Sequence, residues 1–239
     1  MSSRLSPTEF LYGCSIDPAV LELRPDYRAL LLVAEGLEPQ ADNAVADDLI
    51  RRAEARAAAL LADTPVDQLP QISAWRDAYR SFGAKPQRTR NSLEALTRRA
   101  AAGLPRVNAL TDIYNAISVL HQIPLGGEDF ERYEGPARLA RATGEEEFDT
   151  IAAGEPAIEH PEPGEVIWRD DAGVTCRRWN WRQGRRTALS TETTTAFFIL
   201  DALAPLADGQ LDEAGEALGQ ALESLGSAVQ VSKRMAGAL

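Results

Sequence analysis

The chain has 239 residues, 44% of them hydrophobic, with 25 Lys+Arg against 36 Asp+Glu and a net charge of -11. That length and apolar share fit a folded chain of one large or two small domains, and they exclude a disordered one, while the acidic balance excludes a uniformly basic nucleic-acid binder. Two Cys (14 and 176) and two His (121 and 160), with no CxxC or HxxxH spacing, exclude a disulfide framework and argue against a zinc site or a Ser-His-Asp triad, so no metal or cofactor is expected.

Met1 to Phe10 lacks a basic segment followed by an apolar one. The longest apolar run, Ala29 to Ala34, is far short of the roughly 20 residues that span a bilayer. The chain therefore reads as soluble and cytoplasmic, with no membrane partner. Leu30 to Ala34, ended by Gly36, suits a buried strand. Asn43 to Leu61 lacks Gly and Pro and places Ala46, Leu49, Ile50, Ala53 and Ala57 on one stripe, which predicts an amphipathic helix. Leu69-Pro70 interrupts the pattern, and Ile72 to Phe82 resumes it as a short helix ended by Gly83. Lys85 to Arg90 is a basic loop, after which Asn91 or Ser92 caps a helix ended by Gly103. Val107 to Gln122 is a further helix with Thr111 as its expected N-cap.

From Leu125 to Gly164, Gly, Pro and acidic residues punctuate short segments. Glu165 to Arg169 and Val174 to Trp181 read as two strands about the turn Asp170-Asp171-Ala172-Gly173. Ala196 to Leu200 is a buried strand, and Asp212 to Leu239 returns to an Ala/Leu helical pattern. The expected fold class is α+β, a mixed sheet with flanking helices, and with no linker or repeat the expectation is one domain over 1–239.

Charge is segregated along the chain. Between Arg76 and Arg106 lie eight basic and two acidic residues, a net of +6. Cys176 to Arg186 holds five arginines and no acid, a net of +5, which leaves -22 on the remainder. Arginine clusters on an acidic body fit local phosphate recognition, and equally a solvated face. If Val174 to Trp181 is all strand, Trp179 and Trp181 share one face, and Arg178, Asn180 and Arg182 share the other. Aromatic rings beside arginine can stack bases, or simply fill a core.

Residues 105–129 read PRVNALTDIYNAISVLHQIPLGGED. The Asn108, Asp112-Ile113, Asn115, Pro124-Leu125 and Asp129 pattern resembles the B3/B4 editing domain of the phenylalanyl-tRNA synthetase beta subunit. Gly164 to Asp170 and the block CRRWNWRQGRRTALSTETTTAFFILDAL continue the likeness, which is closer still to freestanding proteins built from this domain alone. The likeness covers about residues 70–205 and leaves 210–239 as a helical extension. Where the synthetase pattern carries a His after Pro-Leu, this chain has Gly126 and Gly127, and Glu155, Glu159 and Glu165 are the candidates for a carboxylate.

The resemblance implies hydrolysis, in trans, of the ester joining a wrong amino acid to tRNA. The partner implied is aminoacylated tRNA. The alternatives are a non-catalytic tRNA- or RNA-binding module and a protein that binds a free amino acid. Such hydrolysis needs a positioned water and donors for the developing oxyanion. The candidate pocket residues are Asn108, Asp112, Asn115, Gly126, Asn180 and Thr193, and no catalytic residue is assigned. Asp112 reads as a contact for the substrate ammonium or as a first-turn acid, and Gly126-Gly127 as an opening for a terminal adenosine or as a turn. The candidate RNA contacts are Arg88, Arg90, Arg177, Arg178, Arg182 and Arg185. Cys176 reads as a small buried hydrophobe, His121 as a helix-end residue and His160 as a loop residue.

Overall fold

The computed structural model describes residues 5–38 and 43–237. In chain order the elements are α1 (Pro7–Gly13), β1 (Ser15–Ile16), α2 (Pro18–Leu23), β2 (Arg28–Glu35), α3 (Ala44–Asp63), α4 (Pro70–Ser81), α5 (Ser92–Ala100), α6 (Ala109–His121) and β3 (Leu125–Asp129). There follow β4 (Arg138–Arg141), β5 (Phe148–Ala152), β6 (Glu155–Glu159), β7 (Val166–Arg169), β8 (Val174–Arg177), β9 (Arg182–Gln183), β10 (Thr195–Ala202), α7 (Asp208–Leu222) and β11 (Gln230–Gly237).

The two apolar runs, β2 and β10, are neighbours at the centre of an antiparallel sheet ordered β11-β2-β10-β3. Successive strand residues point to opposite faces. Leu30, Leu32 and Ala34, with Ala196, Phe198 and Leu200, pack against α3, α6 and α7. Ala29, Leu31, Val33, Phe197 and Ile199 pack into a second core with Trp168 of β7 and Trp75 and Tyr79 of α4. Both faces are covered by other elements, so these strands read as unbroken apolar runs instead of alternating ones. Each large side chain buried there contributes roughly 1.5–3 kcal/mol.

The second sheet is ordered β1-β4-β7-β8-β9 and is mixed, with β1 parallel to β4 and the other pairs antiparallel. β5 and β6 form a separate hairpin. The architecture is α+β, a mixed sheet with flanking helices. Asn43 caps α3 by accepting from the amides of Val45 and Ala46, and all five residues of the expected stripe are buried. At Gly215 of α7 a Cβ would sit 2.2 Å from Leu30 Cδ2, so glycine lets the helix lie on β2.

Three local expectations are corrected. Asn108, not Thr111, caps α6: its Oδ1 accepts from the Thr111 amide at 2.8 Å. The strand that begins at Val174 ends at Arg177, because Arg178 and Trp179 take left-handed backbone conformations (φ 48° and 67°). The helical tail over 210–239 ends at Leu222, and Gln230–Gly237 is an edge strand on β2. Its Met235 and Ala236 pack on the two cores, and sheet pairing overrides the Ala-rich composition there.

Candidate functional site

A cavity of about 250 Å³ opens between the two sheets. Gly126 and Glu128 of β3 and Ile199 and Asp201 of β10 line one side, and Trp168 of β7 and Cys176 of β8 line the opposite one. Ser92, Ala95 and Leu96 of α5 and Tyr114 and Asn115 of α6 close the flank. Trp179 to Gln183 complete the lining.

The left-handed turn at Arg178-Trp179 arranges that last segment. The Trp179 amide donates to Val166 O at 2.7 Å, the Trp181 amide to Arg177 O at 3.1 Å, and the Ser92 amide to Asn180 O at 2.9 Å. Trp179 is thereby buried against Tyr27 and Trp75, with ring centroids 5.0 and 5.4 Å away. The two tryptophans do not share a strand face: Trp179 is core, and half-buried Trp181 borders the cavity. Arg178 and Arg182 lie over the Trp181 ring, 4.6 and 5.2 Å from its centroid.

Of the expected pocket residues, Asn115, Gly126 and Asn180 line the cavity. Asn180 is held at both ends of its amide: Oδ1 accepts from Tyr79 at 2.9 Å, and Nδ2 donates to Asp201 Oδ2 at 3.2 Å. A Cβ on Gly126 would lie 2.9 Å from Gln183 Nε2, which donates to Gly127 O at 3.0 Å, so glycine admits this cross-strand amide; the pair lies within β3 and forms no turn. Asn108, Asp112 and Thr193 are not part of the cavity lining. Asn108 caps its helix, Asp112 accepts from the Val107 amide at 2.9 Å, and Thr193 donates to Asp129 at 2.9 Å. Burial raises the Asp112 carboxyl above its ordinary range.

The expected carboxylates lie elsewhere too. Glu155 is exposed, Glu165 is buried and Glu159 is half-buried. Arg177 grips Glu165 with Nε and a terminal nitrogen at 2.9 and 2.8 Å, and Glu159 at 2.9 Å. Arg178 and Arg182 join the same network, and Arg185 pairs with Asp149 at 2.9 Å. Arg177 is therefore a buried structural cation and not an RNA contact, a correction that follows from its burial between two acids. Arg88 and Arg90 are exposed on the loop before α5.

The carboxylates that do line the cavity are Glu128 and Asp201, each nearly inaccessible. Tyr27 donates to Asp201 Oδ1 at 2.6 Å, and Tyr133 donates to Glu128 Oε2, whereas Glu128 Oε1 has no hydrogen-bond partner. Burial pushes both carboxyls up to about 7, against the lowering effect of these bonds. Their signal in the sequence is an acid within an otherwise buried strand, Glu128 beside Gly127 and Asp201 closing the run Phe197 to Leu200. Burial pushes the Cys176 thiol well up, which disfavours a thiolate. His121, half-buried at the end of α6, has its pKa lowered by burial, and exposed His160 contacts Glu146 O at 3.0 Å. Among the described residues no group of three or more His, Cys, Asp or Glu is arranged to hold a metal, and no helix is long and apolar enough to cross a membrane.

A family model described as the B3/4 domain matches residues 74–210. An N-terminal fragment of the phenylalanyl-tRNA synthetase beta subunit from Pyrococcus horikoshii is a similar solved structure, at TM-score 0.48 and 12% identity. That match covers 93% of this chain and 53% of the fragment, so the chain spans about half of it. No curated protein matches the chain.

Proposed function

The chain belongs to the B3/4 domain family, and on that premise we propose that it hydrolyses, in trans, the ester between an amino acid and the 3′ end of tRNA. The observation that carries this reading is the cavity between the sheets, where the amides Asn115, Asn180 and Gln183 and the buried acids Glu128 and Asp201 share a lining with apolar side chains. Ligand pockets commonly combine apolar walls with a few convergent polar groups. A space of about 250 Å³ suits an amino-acid side chain and its ester better than a whole nucleotide.

Glu128 acts as the base in this reading. A carboxylate near pKa 7 is half ionised at neutral pH and can take a proton from a water. The water oxygen bonds to the ester carbonyl carbon, and its proton passes to Glu128 Oε1. Asn115, which lines the cavity, donates to the oxyanion of the tetrahedral intermediate. Collapse then breaks the carbon–oxygen bond to the ribose, and the leaving oxygen takes back the proton. Asn180 and Asp201, tied to each other and to Tyr79 and Tyr27, keep the wall rigid.

The test is incubation of the purified protein with a panel of mischarged tRNAs. Loss of at least one ester faster than in buffer is the expected result. Salt-sensitive tRNA binding without ester loss marks a binding module, and amino-acid binding without tRNA binding marks a sensor; either outcome ends the hydrolase reading.

A further inference from the structure

We propose that a surface depression beside the cavity, formed by Arg88, Arg90, Arg98 and Arg99, binds the phosphodiester backbone of the RNA whose terminal ester enters the cavity. The choice of RNA as ligand rests on the hydrolase reading above; the anion site itself rests on geometry. Ala95 and Trp181 line both concavities, so the depression opens at the rim of the cavity.

Four guanidinium groups line the depression, and two of them, Arg90 and Arg98, share the single carboxylate of Glu94. Glu94 is fully buried, and Arg76, itself buried, donates to its two oxygens at 2.8 and 3.1 Å. Arg98 reaches Glu94 Oε1 with Nε and a terminal nitrogen, both at 3.0 Å, and Arg90 Nε lies 3.8 Å from it. Glu94 therefore fixes two surface arginines in place, while its negative charge is already balanced by Arg76. Arg88 and Arg99 are exposed and have no acidic partner among the described residues. The C-terminal dipole of α5 favours Arg98 and Arg99, but it does not account for Arg88 and Arg90, which precede the helix. Like charges held together without counter-charge form a site that an anion stabilises, and arginine suits phosphate through paired donors. The Trp181 ring, with Arg178 and Arg182 over it, stands at the edge shared by the depression and the cavity.

The experiment measures binding of a labelled single-stranded RNA, ACCA, by fluorescence anisotropy across a salt series. The full chain, an Arg88→Ala/Arg99→Ala variant and a control at Arg51→Ala, an exposed arginine of α3 paired with Asp48, are compared. The wild type should bind, and the double variant should bind about tenfold more weakly, with the salt slope smaller by about 0.7 for each arginine removed. The control should change less than about twofold. No binding by the wild type, or unchanged binding and slope in the double variant, overturns the proposal. If the arginines carry RNA binding but the wild type hydrolyses no tRNA ester, the anion site stands and the hydrolase reading falls. If hydrolysis at subsaturating tRNA is equal in the wild type and the double variant, the anion site falls and the hydrolase reading stands.

Discussion

Residues 76–106 and 176–186 carry net charges of +6 and +5 in the sequence, and the fold leaves arginines unpaired in the first and not in the second. In the second segment every arginine meets a carboxylate: Arg177 and Arg178 meet Glu165, Arg177 and Arg182 meet Glu159, Arg185 meets Asp149, and Arg186 grips Asp170 at 2.6 Å. Those acids come from β5, β6 and the loops flanking β7, so the charge is spent inside the molecule. In the first segment one buried acid, Glu94, serves three arginines, Arg80 and Arg106 pair with the exposed Asp77 and Asp47, and Arg88 and Arg99 have no acidic partner among the described residues. Net charge along a segment thus says little about charge presented to a partner; what decides is whether the topology brings an acid to each base.

The largest effect should come from cutting the paired segment. Arg177→Ala leaves Glu165 buried with only Arg178 beside it, and should lower unfolding free energy by about 3–5 kcal/mol in a denaturant titration. A loss under about 1 kcal/mol would place Arg177 with the dispensable surface cations. A smaller effect belongs to the cavity between the segments. Burial raises Glu128 from 4.5 to about 7, so between these values the folded chain holds a proton that the unfolded chain has lost. Stability should therefore fall as pH rises from about 5 to about 8, by on the order of 2 kcal/mol for this group, and Glu128→Gln should flatten that part of the profile. Asp201, raised in the same direction, leaves a residual slope. The smallest effect is expected at the unpaired arginines: Arg88→Ala and Arg99→Ala should each change stability by less than about 0.5 kcal/mol. Matching losses at Arg99 and Arg177 would dissolve the contrast between the two segments.

The central strands and α3 were legible because burial on two faces or on one stripe leaves a direct mark in residue spacing. The turn at Arg178-Trp179 was not, since neither residue is a habitual left-handed former and its support comes from the distant Val166 and Ser92. The C-terminal strand was hidden because its Ala- and Gly-containing sequence gains β structure only by pairing with β2. At the site, Asn115 and Asn180 from the motif blocks and Gly126, where the chain departs from the motif, line the cavity, whereas Asn108, Asp112 and Thr193 make cap and loop contacts outside its lining, because amides, acids and hydroxyls serve loops and helix ends as readily as pockets. Glu128 and Asp201 carry only a weak mark, an acid within or at the end of an apolar run, and that mark does not say whether the acid faces a cavity or water. Only the pairing of β3 with β10, and of β10 with β2, puts them on the buried face.

The claim that the cavity hydrolyses an aminoacyl ester is tested most directly by the pH dependence of deacylation, with buffer rates subtracted, for the wild type and Glu128→Gln on one tRNA from the panel. The wild-type rate should rise through about pH 7, as Glu128 loses its proton, and the variant should lose at least about a hundredfold while keeping its fold. Equal rates and equal profiles for the two proteins would contradict the account.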